Sequence, residues 1–254
     1  MTELELKSSD DLRSMRRAGQ IVAEVLERLR QEIRPGVTTG ELDAIAEELT
    51  LRRGAIPAFK GYQVGPRVFP ASLCVSINEE VVHGIPSARA LRSGDIVGID
   101  FGVQFQGYYA DAAVTVPVGE VSPEARRLLA VTQAALEAGI EAVRVGNRVG
   151  DLSHAIQTRA EGAGFSIVRE FVGHGIGRRL HEEPQIPNFG EPGRGRLLRA
   201  GMVLAIEPMV NLGAPGVYVK DDGWTAVTRD GSLSAHFEHS VALTANGPEV
   251  LTTA

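Results

Sequence analysis

The sequence predicts an α+β fold built from two copies of one unit, two helices followed by strands, related by a pseudo-twofold axis. Three observations carry this reading. Four segments space their apolar residues as amphipathic helices do. Strand-like runs rich in β-branched and aromatic residues follow the helical pairs. Short patterns also recur in the same order in both halves of the chain, over residues 10–118 and 122–245.

The first helix is expected from about Asp10 to Ile33, where Met15, Ile21, Val22, Val25, Leu26 and Leu29 recur at helical spacing. Pro35-Gly36 ends it. Thr38-Thr39-Gly40-Glu41 has capping-box spacing and opens a second helix that runs to about Arg53. Ser122-Pro123 supplies an N-cap and a first-turn proline for a third helix, which reaches about Val143. Gly146 separates it from a fourth, from about Val149 to Gly162.

The repeat is visible residue by residue. Arg16-Arg17 aligns with Arg126-Arg127, Arg34 and Gly36 with Arg144 and Gly146, and Gly40 and Leu42 with Gly150 and Leu152. Downstream, LRSGDIVGID (Leu91 to Asp100) aligns with LRAGMVLAIE (Leu198 to Glu207), and His-Gly-Ile occurs at His83 and again at His174. Single helical patterns often look alike by chance; four segments recurring in one order do not. No linker separates the copies, so the chain reads as one domain, 1–254, with one sheet and one core.

Bulk properties exclude several classes. The 254 residues and 43% hydrophobic content suffice for one sizeable core. No run approaches the roughly 18 apolar residues of a membrane span. The N-terminus MTELELKSSDDLRSMRR has early acids and no apolar stretch, so it does not read as a signal peptide. A net charge of -6, spread along the chain, argues against nucleic-acid binding by a basic face. The single cysteine, Cys74, excludes an internal disulfide and fits a reducing cytoplasm.

The chemistry lies in the carboxylates. IVGIDFGV (Ile96 to Val103) and YYADAAVTV (Tyr108 to Val116) read as the two strands of a hairpin. Folding about Phe105 and Gln106 would set Asp100 directly opposite Asp111, with Cβ atoms about 4.5–5.5 Å apart. Two like charges that close, embedded in apolar strands without Lys or Arg, would force one to take a proton unless a cation joins them. A lone Asp in such a strand usually faces water. The second half changes that balance: Glu207 stands at the position equivalent to Asp100, inside MVLAIEPMV, and Glu238 lies in SLSAHFEHSVALT. Two dications would neutralise four such carboxylates, and a water between them would ionise near neutral pH.

Of the six histidines, His83, His174 and His181 stand near glycine-rich turns, where the backbone can bend and ligands can approach. His154 sits on a predicted helix and reads as a solvated or packing residue. His236 and His239 flank Glu238 and, by strand alternation, read as supporting or structural residues.

These stretches together resemble the type I methionine aminopeptidases, of the pita-bread metallopeptidase fold. The resemblance rests on SLCVSINEEVVHGIP, GDIVGIDFGVQFQGYYADAAVTV, FVGHGIGRRLHEEPQI, LRAGMVLAIEPMV and DGWTAVTRDGSLSAHFEHSVALT, from Ser72 to Thr244. It implies helices packed on a curved antiparallel sheet around two divalent ions of Co, Mn, Fe or Zn. It also implies metal ligation by Asp100, Asp111, His174, Glu207 and Glu238, with Asp111 and Glu238 bridging. Glu207, His83 and His181 would act on the substrate, and Tyr62, Phe69, Cys74, Leu180 and Trp224 would line a methionine pocket. GYQVGPRVFP is a few residues longer than the family's usual spacing between Tyr62 and Phe69, and Leu180 replaces a common aromatic residue. The implied role is removal of the initiator methionine from nascent proteins with a small second residue. The enzyme would be a cytoplasmic monomer working near the ribosome exit. Cys74 reads as pocket lining.

Two other readings are open. A proline-specific aminopeptidase or prolidase uses the same five ligands but usually carries a large N-terminal domain. A non-catalytic pita-bread module would have lost ligand positions, and here all five persist.

Overall fold

The computed structural model describes residues 4–253. Met1–Glu3, the start of the expected non-leader N-terminus, and Ala254, the last residue of the expected domain, lie outside the described residues.

Four helices form where periodicity and caps place them: α1 Ser9–Glu32, α2 Thr39–Arg52, α3 Pro123–Glu141 and α4 Val149–Glu161. Reciprocal capping boxes close the first two, Ser8 with Asp11 and Thr38 with Glu41. Ser122 caps α3 ahead of Pro123. All six apolar residues that define the α1 face are buried. Each such side chain contributes roughly 1.5–3 kcal/mol when fully buried.

The helices pack against a nine-stranded antiparallel sheet. Its strands are, in chain order, β1 Ile56–Pro57, β2 Cys74–Ile77, β3 Ile96–Phe105, β4 Tyr108–Pro117, β5 Gly173–Gly175, β6 Glu182–Ile186, β7 Val203–Ile206, β8 Glu238–Thr244 and β9 Gly247–Val250. The spatial order is β1-β3-β4-β8-β7-β5-β6, with β2 also on β3 and β9 on β8. Strand alternation gives the sheet two chemically distinct faces. Ile99, Phe101, Val103, Ala110 and Ala112 join α1 and α2 in one core cluster. Leu204, Ile206, Val241 and Leu243 join α3 and α4 in another. Asp100, Asp111, Ala113 and Glu238 belong to the opposite face.

The two halves repeat one another in detail. Gly36 and Gly146 take φ of +92° and +95°, and each donates its N–H, to Leu91 and Leu198. Isolated bridges pair Thr38 with Ala90 and Arg148 with Leu197. Positive φ at these turns explains why glycine recurs there.

One sequence expectation is corrected. The β3–β4 hairpin pairs Phe105 with Tyr108, so its turn is Gln106-Gly107, not Phe105-Gln106. Both turn residues have positive φ, +51° and +83°, as a two-residue turn matched to strand twist requires. Asp100 therefore faces Ala113, and Asp111 faces Gly102. The register moves by an even step, so both aspartates keep one face of the sheet as diagonal neighbours rather than direct partners.

Candidate active site

Three strands meet at the centre of the sheet to bring carboxylates together. Asp100 pairs with Ala113, and Ala113 pairs in turn with Glu238. This makes a lateral row with a methyl group between two acids. Cys74 continues the row on the other side of Asp100. Glu207 follows directly after β7, whose last residue Ile206 pairs with His239. The Ser240 hydroxyl accepts from the Asp111 N–H at 3.0 Å and donates to its C=O at 2.8 Å, stitching β4 to β8 beside the acids.

His174 lies on a strand rather than in the expected loop, paired with Ala205 of β7 and Gln185 of β6. Its flanking glycines serve close approach. A Cβ at Gly173 would strike the Ala205 carbonyl, and one at Gly175 the Glu183 carbonyl. The His174 Nδ1 lies 2.9 Å from the Gly175 carbonyl, which can only accept, so Nδ1 carries the proton. Burial and the nearby His181 lower this imidazole to a pKa of about 3, so the ring is neutral and Nε2 presents a lone pair. That atom stands 3.5 Å from Glu207 Oε1.

The electrostatics leave these groups in want of a cation. Burial, then the Asp111 and Glu207 charges, push Asp100 well above the usual carboxylate range. Asp111 rises to about 7, chiefly through burial. Glu207 and Glu238 are also raised by burial first and by neighbouring acids second. Asp100 Oδ1, Asp111 Oδ1 and Glu238 Oε1 are buried with no hydrogen-bond partner. Ligand atoms of Asp111, His174 and Glu238 lie within 4.8 Å of one another. Oxygen donors with one neutral imidazole, orphaned and mutually repelling, fit a divalent metal centre.

The cluster floors a cavity of about 340 Å³. Every residue expected from the sequence lines it: Asp100, Asp111, His174, Glu207, Glu238, His83, His181, Tyr62, Phe69, Cys74, Leu180 and Trp224. The Tyr62 hydroxyl and His181 Nδ1 are 2.7 Å apart, and the His181 and His174 rings lie 4.2 Å apart. His181 keeps an edge open to solvent, yet enough protein surrounds the ring to lower its pKa. Phe69 packs edge-on against Trp224 at 5.2 Å. The long Tyr62–Phe69 segment forms a small hairpin, Gln63–Val64 against Arg67–Val68, pinned where Arg67 donates to the Gly223 carbonyl. Cys74 is buried, and burial, then the adjacent carboxylates, pushes its thiol well up.

His83 adopts a left-handed backbone, φ +61°, rare for a side-chain-bearing residue and typical of strained functional positions. Its ring meets Phe171 edge-on at 5.5 Å, and burial with the charge of His181 lowers it to about 4. The structure adds residues that sequence reasoning missed. Phe59, Glu170 and Phe171 also line the cavity. Of the two histidines read as supporting, His236 reaches the site: its Nε2 lies 3.9 Å from Glu207 Oε2 and has no hydrogen-bond partner. His239 turns away, to the Thr252 hydroxyl. His154 lies on α4 near Gly190, outside the cavity lining.

A profile of metallopeptidase family M24 matches residues 13–245. The chain belongs to metallopeptidase family M24. Membership in this family implies a divalent metal, as the buried acids do. The M24 chain is 54% identical over 247 residues to the methionine aminopeptidase of Clostridium perfringens, covering 97% of this chain and 98% of that protein. It is 51% identical over 246 residues to methionine aminopeptidase 1 of Bacillus subtilis, covering 97% of this chain and 98% of that protein. The crystal structure of methionine aminopeptidase from Thermotoga maritima superposes with a TM-score of 0.96 at 47% identity, covering 99% of this chain and all of that one, 100%. Prolidase from Pyrococcus furiosus shares the fold at a TM-score of 0.77 and 24% identity, with this M24 chain matching 65% of its length. These neighbours establish the pita-bread architecture of the M24 chain. No helix among its described residues is long and apolar enough to cross a membrane.

Proposed function

We infer that this M24 peptidase hydrolyses the bond after an N-terminal methionine, in proteins whose second residue is small. One observation carries the reading: metal-fitting acids floor a cavity whose wall is apolar and aromatic, of a volume in the range of small-ligand sites. An unbranched thioether suits such a wall, because it is polarisable and packs well against aromatic edges. Tyr62, Phe69, Cys74, Leu180 and Trp224 would form that pocket.

Asp100, Asp111, His174, Glu207 and Glu238 would hold two ions of Mn, Fe, Co or Zn. Bound there, the ions would supply Lewis acidity and lower the pKa of a water. The chain's own groups do the rest. Glu207, partly open to the cavity, takes a proton from the attacking water and delivers it to the leaving amine. With the Tyr62 hydroxyl as donor to His181 Nδ1, the ring's Nε2–H is free to donate to the scissile carbonyl oxygen as charge develops there. His83, held at a strained backbone against Phe171, meets the amide that follows the methionine. The close floor of acids leaves room for a small second side chain. The substrates fitting this site are nascent chains emerging from the ribosome in the cytoplasm, met by a monomeric enzyme.

Release from Met-Ala-Ser and from Ala-Pro peptides by the metal-loaded protein tests this. Methionine release with little cleavage before proline is the expected result. The reverse preference would make the chain a proline peptidase on the same fold, and no cleavage of either would make it a binding module.

A further inference from the structure

The segment Gly177–Glu182 joins β5 to β6 and carries two cavity-lining residues, buried Leu180 and exposed His181, next to the exposed Arg178 and Arg179. The strands β5 and β6 hold the two ends of this turn, and the Tyr62 hydroxyl lies 2.7 Å from His181 Nδ1. The stretch before α1 adds a further tie. The Lys7 N–H donates to the Gly201 carbonyl at 2.7 Å, fixing that stretch to the second half of the sheet. From there the Lys7 side chain runs inward. Its Nζ lies 2.8 Å from Glu182 Oε2 and 3.2 Å from the Glu5 carbonyl. The pair is almost dry, with side-chain exposures of 1% for Lys7 and 8% for Glu182. It joins residues 175 positions apart. Glu182 uses its other oxygen to accept the Arg179 N–H at 3.1 Å, which closes the turn over Leu180 and His181. Lys7 passes directly over Gly177, where an added Cβ would meet Lys7 Cε.

A second, outer tie runs in parallel. Arg178 contacts Glu5 at 3.2 Å and Asp11 at 3.3 Å, and stacks on Tyr108 at 4.6 Å. Exposed pairs of this kind hold little. The Tyr109 N–H also donates to the Gly177 carbonyl at 2.7 Å. The dry Lys7–Glu182 pair therefore stands out, since a buried ion pair is costly to break from one side.

We propose that Lys7 is a positioning residue for the peptidase reaction: paired with Glu182, it sets the turn that aims His181 at the substrate carbonyl. This rests on the reading of His181 as a substrate-contacting group, so the test separates the two.

Lys7→Met alone would strand the Glu182 charge, so the informative variant is K7M/E182Q. It removes both charges and keeps the acceptor for Arg179. Thermal unfolding would verify that it folds. In the metal-loaded protein, turnover of Met-Ala-Ser should fall about ten- to a hundredfold, mostly in kcat, the scale expected when a catalytic group is displaced by about an ångström. The same change made on a His181→Ala background should cost nothing more. In the metal-free protein, the nitrogen chemical shifts of the His181 imidazole should move. Should K7M/E182Q fail to fold, Glu182→Gln alone is measured by the same readouts. Wild-type kcat with unmoved His181 signals would overturn the proposal, and so would an equal loss on the His181→Ala background. If His181→Ala itself turns over normally, the reading of His181 fails, and the imidazole signals alone decide whether Lys7 positions that ring.

Discussion

At Asp111 two demands conflict. Its Oδ1 is buried without a partner, and burial lifts its pKa to about 7. Three more acids with raised pKa surround it. A cation satisfies all four at once, whereas a proton on Asp100 serves only the Asp100–Asp111 pair. Asp111→Asn should therefore separate chemistry from folding. Peptide turnover at saturating Mn²⁺ should fall at least about a hundredfold, the loss that even groups one step removed from a metal can produce. The metal-free variant should melt at or above the wild-type temperature, because a buried acid has become a neutral amide. Steady-state kinetics and differential scanning calorimetry check the two halves of this statement. Substantial activity in metal-replete buffer would remove Asp111 from the site.

At the scale of the element, the strand β5 shows how much the site depends on absent side chains. Gly173 and Gly175 let β5 press against β6 and β7, which puts His174 opposite Ala205. Gly175→Ala places a methyl group against the Glu183 carbonyl. It should destabilise the protein by about 1–3 kcal/mol, as overpacking does, and weaken metal binding as well. Urea unfolding and metal titration of the variant measure both. The same element marks the limit of sequence reading. Helices α1 to α4 are legible because apolar spacing is local, and Thr38 and Ser122 mark two of the starts by their caps. The carboxylates were legible because charge inside an apolar strand is anomalous by itself. The β3–β4 register is not legible, because Gln106 takes a positive φ that only Gly107 advertises. His174 looked like a loop residue because its strand is three residues long. His236 and Phe171 reach the cavity only through tertiary packing, and no local pattern announces them. Alternation around Glu238 spoke against a ligand role for His236, yet its ring reaches Glu207, which lies on another strand's end.

For the whole molecule, the buried titratable groups make stability depend on pH and on metal together. Asp111 binds its proton more tightly folded than unfolded, about 7 against 3.8, so without metal its contribution falls as pH rises from about 4 to 7. The imidazoles act in the opposite sense. His174 near 3, and His83 and His239 near 4, lie below the ordinary 6.5, so stability is lost as pH falls through that window. Divalent metal displaces the carboxylate protons and reverses the first effect. The rise in melting temperature on adding Mn²⁺ should therefore grow between pH 5.5 and 7.5. The binding enthalpy should also vary with the ionisation enthalpy of the buffer, since protons are released. Melting curves across pH and calorimetric titration in two buffers check this; a shift independent of pH would mean that the acids are already ionised and paired by other groups.

The most direct measurement is turnover of Met-Ala-Ser by chelator-stripped protein during stepwise addition of Mn²⁺ without oxygen. The stripped protein should release no methionine, and activity should then rise to a plateau by two equivalents per chain. Full activity in the stripped protein, with no metal detected by elemental analysis, would contradict it.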